Sequence, residues 1–387
     1  MFIEFIGKFY DNHSLSIVNR NIVLQLVKLG ASIRIIPLDS YDPEYSLDKA
    51  EVRVLKSLET KDQDAIPDVQ IRHSYPPIWT WPVHDQTKVV YIQPWEYPKA
   101  LFEWQYKFES FADALIVPSN YCKKVFSSGG LRPDNLFVVP NGYDEKVFNT
   151  EPGSSVERFG INPDKVNFVY VGNSQWRKGL DILLSAWSRS FSRSDNAKLI
   201  IKDNPRIYGQ SNILSEIIKM QYQSDCGEII YIDDELSAIE MANIYKASKV
   251  VVHPYRAEGF GMHVQEAIAC GCVPIISGEG PTDDFIPQDK GFRIPVNNVA
   301  INIADPNLFA LKPGDATTMM STHTFVKEPN PEYLLKAMKY IYHSHDRDVI
   351  LNKVRVTEVP NTWELVASHY LSIFTNIATR KPNRLKY

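Results

Sequence analysis

Apolar runs and amphipathic stretches alternate along the 387-residue chain, and they do so in two successive series. Phe2-Ile3-Glu4-Phe5-Ile6 predicts a short strand ending in Gly7, followed by a polar loop over 8–13. Leu15, Val18, Ile22, Leu26 and Leu29 then recur at helical spacing until Gly30 stops the helix, and 32–37 is the next strand. Strand, loop, helix and strand in that order put the loop at the carboxyl edge of a parallel sheet, where ligands bind in such folds. Gly7 fits a tight turn and a binding loop equally, because no G-x-G-x-x-G accompanies it. Residues 40–66 are rich in charged and Ser positions and predict a surface helix, while 67–73 reads as a strand ending at His73. The following YPPIWTWP backbone is extended or turning. Its Trp79 and Trp81 read as core packing first and as covers for a sugar ring second. Residues 88–93 predict a strand with Gln93 at its end and Glu96 just beyond. Over 112–148 the pattern is a strand at 114–117, a Ser119 cap, a helix stopped by Gly129-Gly130, a strand at 136–139 and an Asn141-Gly142 turn.

Residues 150–163, with Gly, Pro and Ser, read as an interdomain linker, and the alternation restarts after them. A strand at 166–171 leads into a polar loop over 172–178 and a helix with Leu180, Leu183, Leu184 and Trp187 on one face. Strands follow at 197–202 and 228–232 with a helix at 213–222 between them. The next helix, 237–247, has Ser237 as cap and Glu240 three residues on. Then comes the most informative stretch, His253 to Ser277, HPYRAEGFGMHVQEAIACGCVPIIS, which reads as a strand end, a loop and a helix over 262–269. Residues 278–284 predict a surface loop and 290–328 carry few periodic signals. Helices at 332–342 and from Thr362-Trp363-Glu364 onward close the chain.

Candidate chemistry concentrates in two loops. Gly259 and Gly261 remove side chains where the backbone turns, so amides at the following helix start can approach an anion, favoured also by the helix dipole. Glu258 and Glu266 flank those amides. Carboxylates are poor phosphate ligands but good acceptors from hydroxyls, so the arrangement suits a molecule with hydroxyls at both ends and phosphate between, as in a nucleotide sugar. A solvated Glu pair at a helix start fits the spacing as well. Arg177-Lys178-Gly179 sits in a strand-to-helix loop, where a cation could neutralise a leaving diphosphate; a solvated basic pair is the other reading.

E-G-F-G followed by E-A-x-A-x-G-x-V-P resembles the donor-site signature of retaining glycosyltransferases of the GT-B fold, family GT4. The 112–148 string, with its Pro-Asn-Gly-x-Asp turn, resembles the end of that family's N-terminal domain. The resemblance implies an α/β fold of two Rossmann-like domains facing across a cleft. Residues 1–160 would bind the acceptor, with a helix at 361–380 crossing back onto them, and 161–360 would bind the nucleotide sugar. It implies transfer of a hexose, glucose first, from a UDP-sugar to a saccharide or lipid-linked acceptor with retained configuration. Glu258, Lys178 and Arg177 would be catalytic. Gly7, Asn173, Ile232, Leu236, Gly259, Phe260, Gly261, Met262, His263, Val264 and Glu266 would bind the donor, with Glu266 on the ribose and the base near Ile232 and Leu236. Lys8, His13, His73, Gln93 and Glu96 are acceptor-side candidates. The chain departs from the family pattern in two places: Asn173 stands where arginine is usual, and Gln93 and Glu96 occupy the region of the usual histidine. A nucleotide-sugar epimerase of the same fold and a non-catalytic nucleotide-sugar-binding protein are the alternatives.

Charge narrows the partners. With 42 basic and 46 acidic residues and no dense basic block inside the chain, a nucleic-acid partner is not expected. Arg380, Lys381, Arg384 and Lys386 make a basic tail that reads as a solvated end, with peripheral membrane contact left open. No apolar run reaches membrane-spanning length and no basic region precedes the short apolar start, so a cytoplasmic protein is expected. The four cysteines include Cys270 and Cys272 around one glycine, without metal-ligand companions, and read as reduced packing residues. No cofactor beyond the donor and no metal are expected, since no Asp-x-Asp stands at a strand end.

Overall fold

The computed structural model describes residues 1–62, 64–131, 133–209, 212–223, 225–302 and 323–381, in two units. The first holds Met1–Gly142 and the segment from Asn361; the second holds the described part of 143–360.

In the first unit β1 (Phe2–Gly7), β2 (Ser32–Pro37), β3 (Val69–His73), β4 (Lys88–Ile92), β5 (Ala114–Val117) and β6 (Leu136–Val138) form one parallel sheet, in the order β2-β1-β3-β4-β5-β6. The helices between its strands are α1 (Ser14–Lys28), α2 (Lys49–Glu59), α3 (Phe102–Phe111) and α4 (Asn120–Ser128), and β3 and β4 are buried along their whole length. The α1 buried face differs from the expected stripe: Val23 joins Val18, Ile22 and Leu26, while Leu29 is exposed past the helix end. The sequence pattern did not show α3, because Leu101 supplies no side-chain cap and aromatic residues obscure the periodicity. Trp79 packs against Phe108 and Tyr91, as expected of a core residue, whereas Trp81 is 47% exposed and leans on Phe111.

The second unit's sheet has β7 (Val166–Val171), β8 (Ala197–Lys202), β9 (Glu228–Ile232), β10 (Val250–His253), β11 (Val273–Ser277) and β12 (Phe292–Ile294), all parallel, in the order β12-β11-β10-β7-β8-β9. Side chains alternate across it: Phe168 and Tyr170 face a core with Trp187 and Met338, and Val169 faces another with Ile200, Tyr245 and Ile276. The helices are α5 (Leu180–Ser190), α6 (Pro205–Tyr208), α7 (Ile213–Gln223), α8 (Ala238–Lys246), α9 (Met262–Ala269), α10 (Pro331–His343) and α11 (Arg347–Val354). Ser237 and Glu240 form the anticipated capping box on α8. Within 290–328, β13 (Val296–Asn302) and β14 (His323–Pro329) pair as an antiparallel hairpin, and 303–322 lies outside the described residues.

Two expectations change and one holds. Tyr143, Phe148, Val156 and Ile161 are core residues of the second unit, so the division falls after Gly142 and not at 160; within the expected linker Val156 and Ile161 are buried anchors while most of 150–163 is exposed. Residues 278–284 are not a surface loop: Thr282 is fully buried in a 3-10 turn, with its hydroxyl 2.8 Å from that of Tyr255. The cysteines match their expectation in one respect, since all four are buried and none forms a disulfide.

The last helix, α12 (Trp363–Ala378), is capped by Thr362, packs on α1 and β3, and belongs to the first unit. Gly142 makes room for it, since a Cβ there would lie 2.7 Å from Trp363. No helix among the described residues is long and apolar enough to cross a membrane. Arg384 and Lys386 of the basic tail lie outside the described residues.

Candidate functional site

In the second sheet the chain runs outward from β7 through β8 to β9, then returns to the other side of β7 as β10. The loops leaving β7 and β10 therefore diverge at the sheet's carboxyl edge, the place where open α/β sheets form a ligand crevice. Lys178 is on the first loop and Glu258 on the second, and their side chains meet at 2.5 Å although 80 residues separate them. Gly179 permits this approach. Its φ of +72° suits glycine, and a Cβ there would fall 1.8 Å from the Pro254 carbonyl oxygen. The Arg177 carbonyl accepts from the Arg256 and Ala257 amides at 2.7 and 3.2 Å, fastening the loops along their backbones.

Glu258 is 8% exposed. Burial pushes its carboxyl up, but the Lys178 ammonium, with His253 and Arg177, outweighs burial and holds it well below the usual carboxylate range. His253, fully buried at the end of β10, is pushed down to about 4, chiefly by burial, and is neutral at pH 7. Its Nε2 lies 3.2 Å from Glu258, so that nitrogen carries the proton and donates; Nδ1 has no partner among the described residues. The His263 ring stands edge-on to it with centroids 4.1 Å apart, and burial holds that imidazole neutral too.

Gly261, at φ +93°, precedes the first turn of α9. The Val264 amide donates to the Gly261 carbonyl at 3.0 Å, which removes Val264 from the expected anion-facing set. Among the described residues no hydrogen bond occupies the amides of Gly261, Met262 and His263. The Phe260 side chain is turned inward onto Phe285, leaving only its backbone for a ligand. The Gly259 amide donates to Glu258 at 3.0 Å. Glu266 does not join Lys178 and Glu258; it faces Tyr245 of α8 at 3.5 Å. It is partly exposed by area, yet set deeply enough that burial pushes its carboxyl up to about 8, so it is protonated at neutral pH. Asn173 brings no charge and builds the loop, accepting from the Gln175 amide at 3.1 Å. Ile232 and Leu236 are buried in one apolar cluster with Phe260 and Val264, and the Ile232 carbonyl accepts from the Asp203 amide at 3.0 Å.

The first unit has its own switch between β1 and β3. Gly7 and His73 end those strands side by side. A Cβ on Gly7 would lie 2.5 Å from Asn19 Nδ2, so glycine admits Asn19, which donates to the Lys8 carbonyl at 2.9 Å and meets His73 Nδ1 at 2.6 Å. Burial, then His13, pushes His73 down to about 3. His13 caps α1, accepting from the Leu15 amide at 3.2 Å. The exposed Lys8 side chain pairs with Asp11 at 3.5 Å. Gln93 is buried and donates to the Pro94 carbonyl, and the Glu96 carbonyl accepts from Tyr121. Among the described residues no group of three His, Cys, Asp or Glu is gathered as for a metal ion.

A family model described as Glycosyl transferases group 1 matches residues 154–305, and one described as Glycosyltransferase Family 4 matches 20–147. The chain belongs to the GT4-type glycosyltransferases. This GT4-type chain is 24% identical over 184 residues to the D-inositol 3-phosphate glycosyltransferase of Xylanimonas cellulosilytica, covering 46% of this chain and 42% of that protein. It is 26% identical over 181 residues to the lipopolysaccharide 1,2-N-acetylglucosaminetransferase of Salmonella typhimurium, covering 44% and 46%. The matches thus span less than half the length of these relatives. Anabaena HepE in complex with UDP and glucose has the same fold at a TM-score of 0.58 and 14% identity, covering 98% of each chain. Sucrose-phosphate synthase from Thermosynechococcus elongatus gives 0.64 and 14%, covering 97% of this chain and 99% of that one. The GT-B architecture of two Rossmann-like units follows.

In this GT4-type protein the sequence pattern did not point to Asn19, His253 or Arg256. Asn19 and Arg256 are polar residues that the fold buries, and the only local sign was a polar position beside an apolar stripe or strand end. His253 was read merely as the end of a strand.

Proposed function

We propose that this protein transfers a hexose, glucose first, from a UDP-sugar to a hydroxyl of a saccharide or glycolipid-type acceptor with retention at the anomeric carbon. The observation that carries this reading is the Lys178–Glu258 pair, 2.5 Å apart at the switch of the second sheet and followed by the amide-bearing start of α9. A cation and a helix start together suit a departing diphosphate, whose charge grows as its bond to the sugar breaks. In this scheme Lys178, Arg177 and the amides of 261–263 take that charge. Glu258 accepts hydrogen bonds from the hexose hydroxyls. Glu266 binds the ribose, and its protonated carboxyl can both donate and accept. The acceptor oxygen bonds to the anomeric carbon on the face the diphosphate leaves, and its proton passes to the departing phosphate oxygen. No metal ion or cofactor beyond the donor is called for. Support for uridine and glucose comes from the likeness to HepE, solved with UDP and glucose and with UDP-glucose. Support for a saccharide acceptor comes from the Salmonella lipopolysaccharide enzyme.

A panel of UDP-, GDP- and ADP-sugars, scored for nucleotide release with and without saccharide acceptors, tests the reading. Acceptor-dependent UDP release is expected. Release from no donor overturns transfer, an epimerised sugar nucleotide without UDP points to isomerisation instead, and GDP or ADP release corrects the base.

A further inference from the structure

We propose that Glu328, on the hairpin strand β14, is a positioning residue for transfer, acting through Arg256 on the Lys178–Glu258 pair. The inference rests on the reading that this pair handles the donor.

Lys178 and Glu258 stand on different loops, so their separation is set by whatever joins those loops. Arg256 lies two residues before Glu258 and is 4% exposed. A guanidinium has five N–H donors, and here each has a partner. Nε donates to Glu328 Oε2 at 2.5 Å and Nη2 to Glu328 Oε1 at 2.9 Å. Nη2 also donates to Asp181 Oδ2 at 2.7 Å, and Nη1 to Asp181 Oδ1 at 2.8 Å and the Trp176 carbonyl at 2.7 Å. The guanidinium carbon sits 4.2 Å over the Trp176 ring. The Arg256 carbonyl accepts from the Lys327 amide at 3.1 Å, so the strand is tied by its backbone as well. One buried cation thereby joins the Lys178 loop, the Glu258 loop, the first turn of α5 and β14.

The two carboxylates do different work. Asp181 belongs to the helix that starts at the Lys178 loop, so it holds Arg256 to that loop. Glu328 comes from a distant strand and takes the Nε edge. Two-point bonds on two edges leave the planar group one orientation. Without Glu328, two donors inside the protein lose their partners, and the guanidinium can tilt toward Asp181, whose side chain is 54% exposed. The backbone of 256–258 would move with it. β14 lies beyond the region matched by the family model, which ends at residue 305, so the family pattern did not point to this support.

The test uses Glu328→Ala and Glu328→Gln in the full chain. Misplacing a charge that meets the leaving group should lower kcat by roughly ten- to a hundredfold, with donor KM moving far less. In a Lys178→Ala background the same change should alter kcat by less than about twofold, since the pair it acts through is gone. Hydrogen exchange of the ligand-free protein should quicken over 173–179 and 254–261. Unchanged kcat in both Glu328 variants, or equal losses in both backgrounds, overturns the proposal. If the wild-type chain turns over no donor, the transferase reading fails, and exchange alone decides the coupling: unchanged exchange over both loops rejects it.

Discussion

Replacing Lys178 with Met removes one charge of the donor pair and keeps most of the side-chain volume. Glu258 is 8% exposed, and its carboxylate meets Lys178 at 2.5 Å and His253 Nε2 at 3.2 Å. Burial alone pushes that carboxyl up, and the Lys178 ammonium is the largest opposing influence. Its loss leaves a buried carboxylate without the main counter-charge, at a cost of about 3–5 kcal/mol. For a unit of this size the melting temperature should fall by roughly 10 °C. The pH dependence is a sharper readout. In the wild type the folded pKa of Glu258 lies below the unfolded one, so its contribution is present above the ordinary carboxylate range and is lost as pH falls through the folded value. In Lys178→Met burial prevails and the folded pKa moves above the unfolded one. Folding then takes up a proton between the two, and stability falls as pH rises. The gap between the two proteins should be widest at about pH 7–8 and should narrow toward about pH 5. Adding Glu258→Gln should recover most of the stability, because neutral groups of similar volume can replace a buried ion pair with little loss. Nucleotide release should stay measurable but far below the wild-type rate in both variants. Circular-dichroism melts across this pH range decide the matter: equal melting of Lys178→Met and wild type at every pH, or a double variant less stable than the single one, refutes the reasoning.

Three further outcomes are expected. Burial holds Glu266 at about 8, so the folded chain keeps a proton that the unfolded chain gives up above about 4.5, and stability on this account falls as pH rises between those values. Glu266→Gln should flatten that slope, and Glu266→Ala should weaken UDP binding about tenfold by calorimetry; unchanged affinity removes Glu266 from the ribose. Gly179→Ala, with a Cβ 1.8 Å from the Pro254 oxygen, should cost more than ~3 kcal/mol in urea unfolding. Gly30→Ala, with a similar φ of +83° but nothing within 4 Å, should cost only about 1 kcal/mol, and equal costs would contradict the close approach of the two loops. Thr282→Val removes a hydroxyl 2.8 Å from that of Tyr255 in a buried turn and should cost about 1–2 kcal/mol; no loss would return 278–284 to a surface loop.

Local pattern by itself determined the alternation of elements. The strands at 32–37, 166–171, 197–202 and 228–232 and the helix at 262–269 stand where periodicity and turn residues put them, because their ends carry Gly, Pro or capping groups. Ser237 with Glu240 is legible for the same reason. The two carboxylates, the helix-start glycines and Arg177-Lys178-Gly179 were also visible as residue types suited to a nucleotide sugar. Tertiary structure decided which of them meet. Lys178 touches Glu258 because β10 returns to the side of β7, a strand order no local periodicity encodes. The same folding turns Phe260 inward, engages the Val264 amide, buries Thr282 and gathers Asp181 and Glu328 around Arg256. It also sets the charge states: Glu258 and Glu266 are the same residue eight positions apart, yet one is held ionised by a neighbouring ammonium and the other protonated by burial. Burial and neighbouring charge come from atoms distant along the chain, so the spacing of Glu258 and Glu266 could propose a clamp, and only the packed second unit could assign its halves different chemistry.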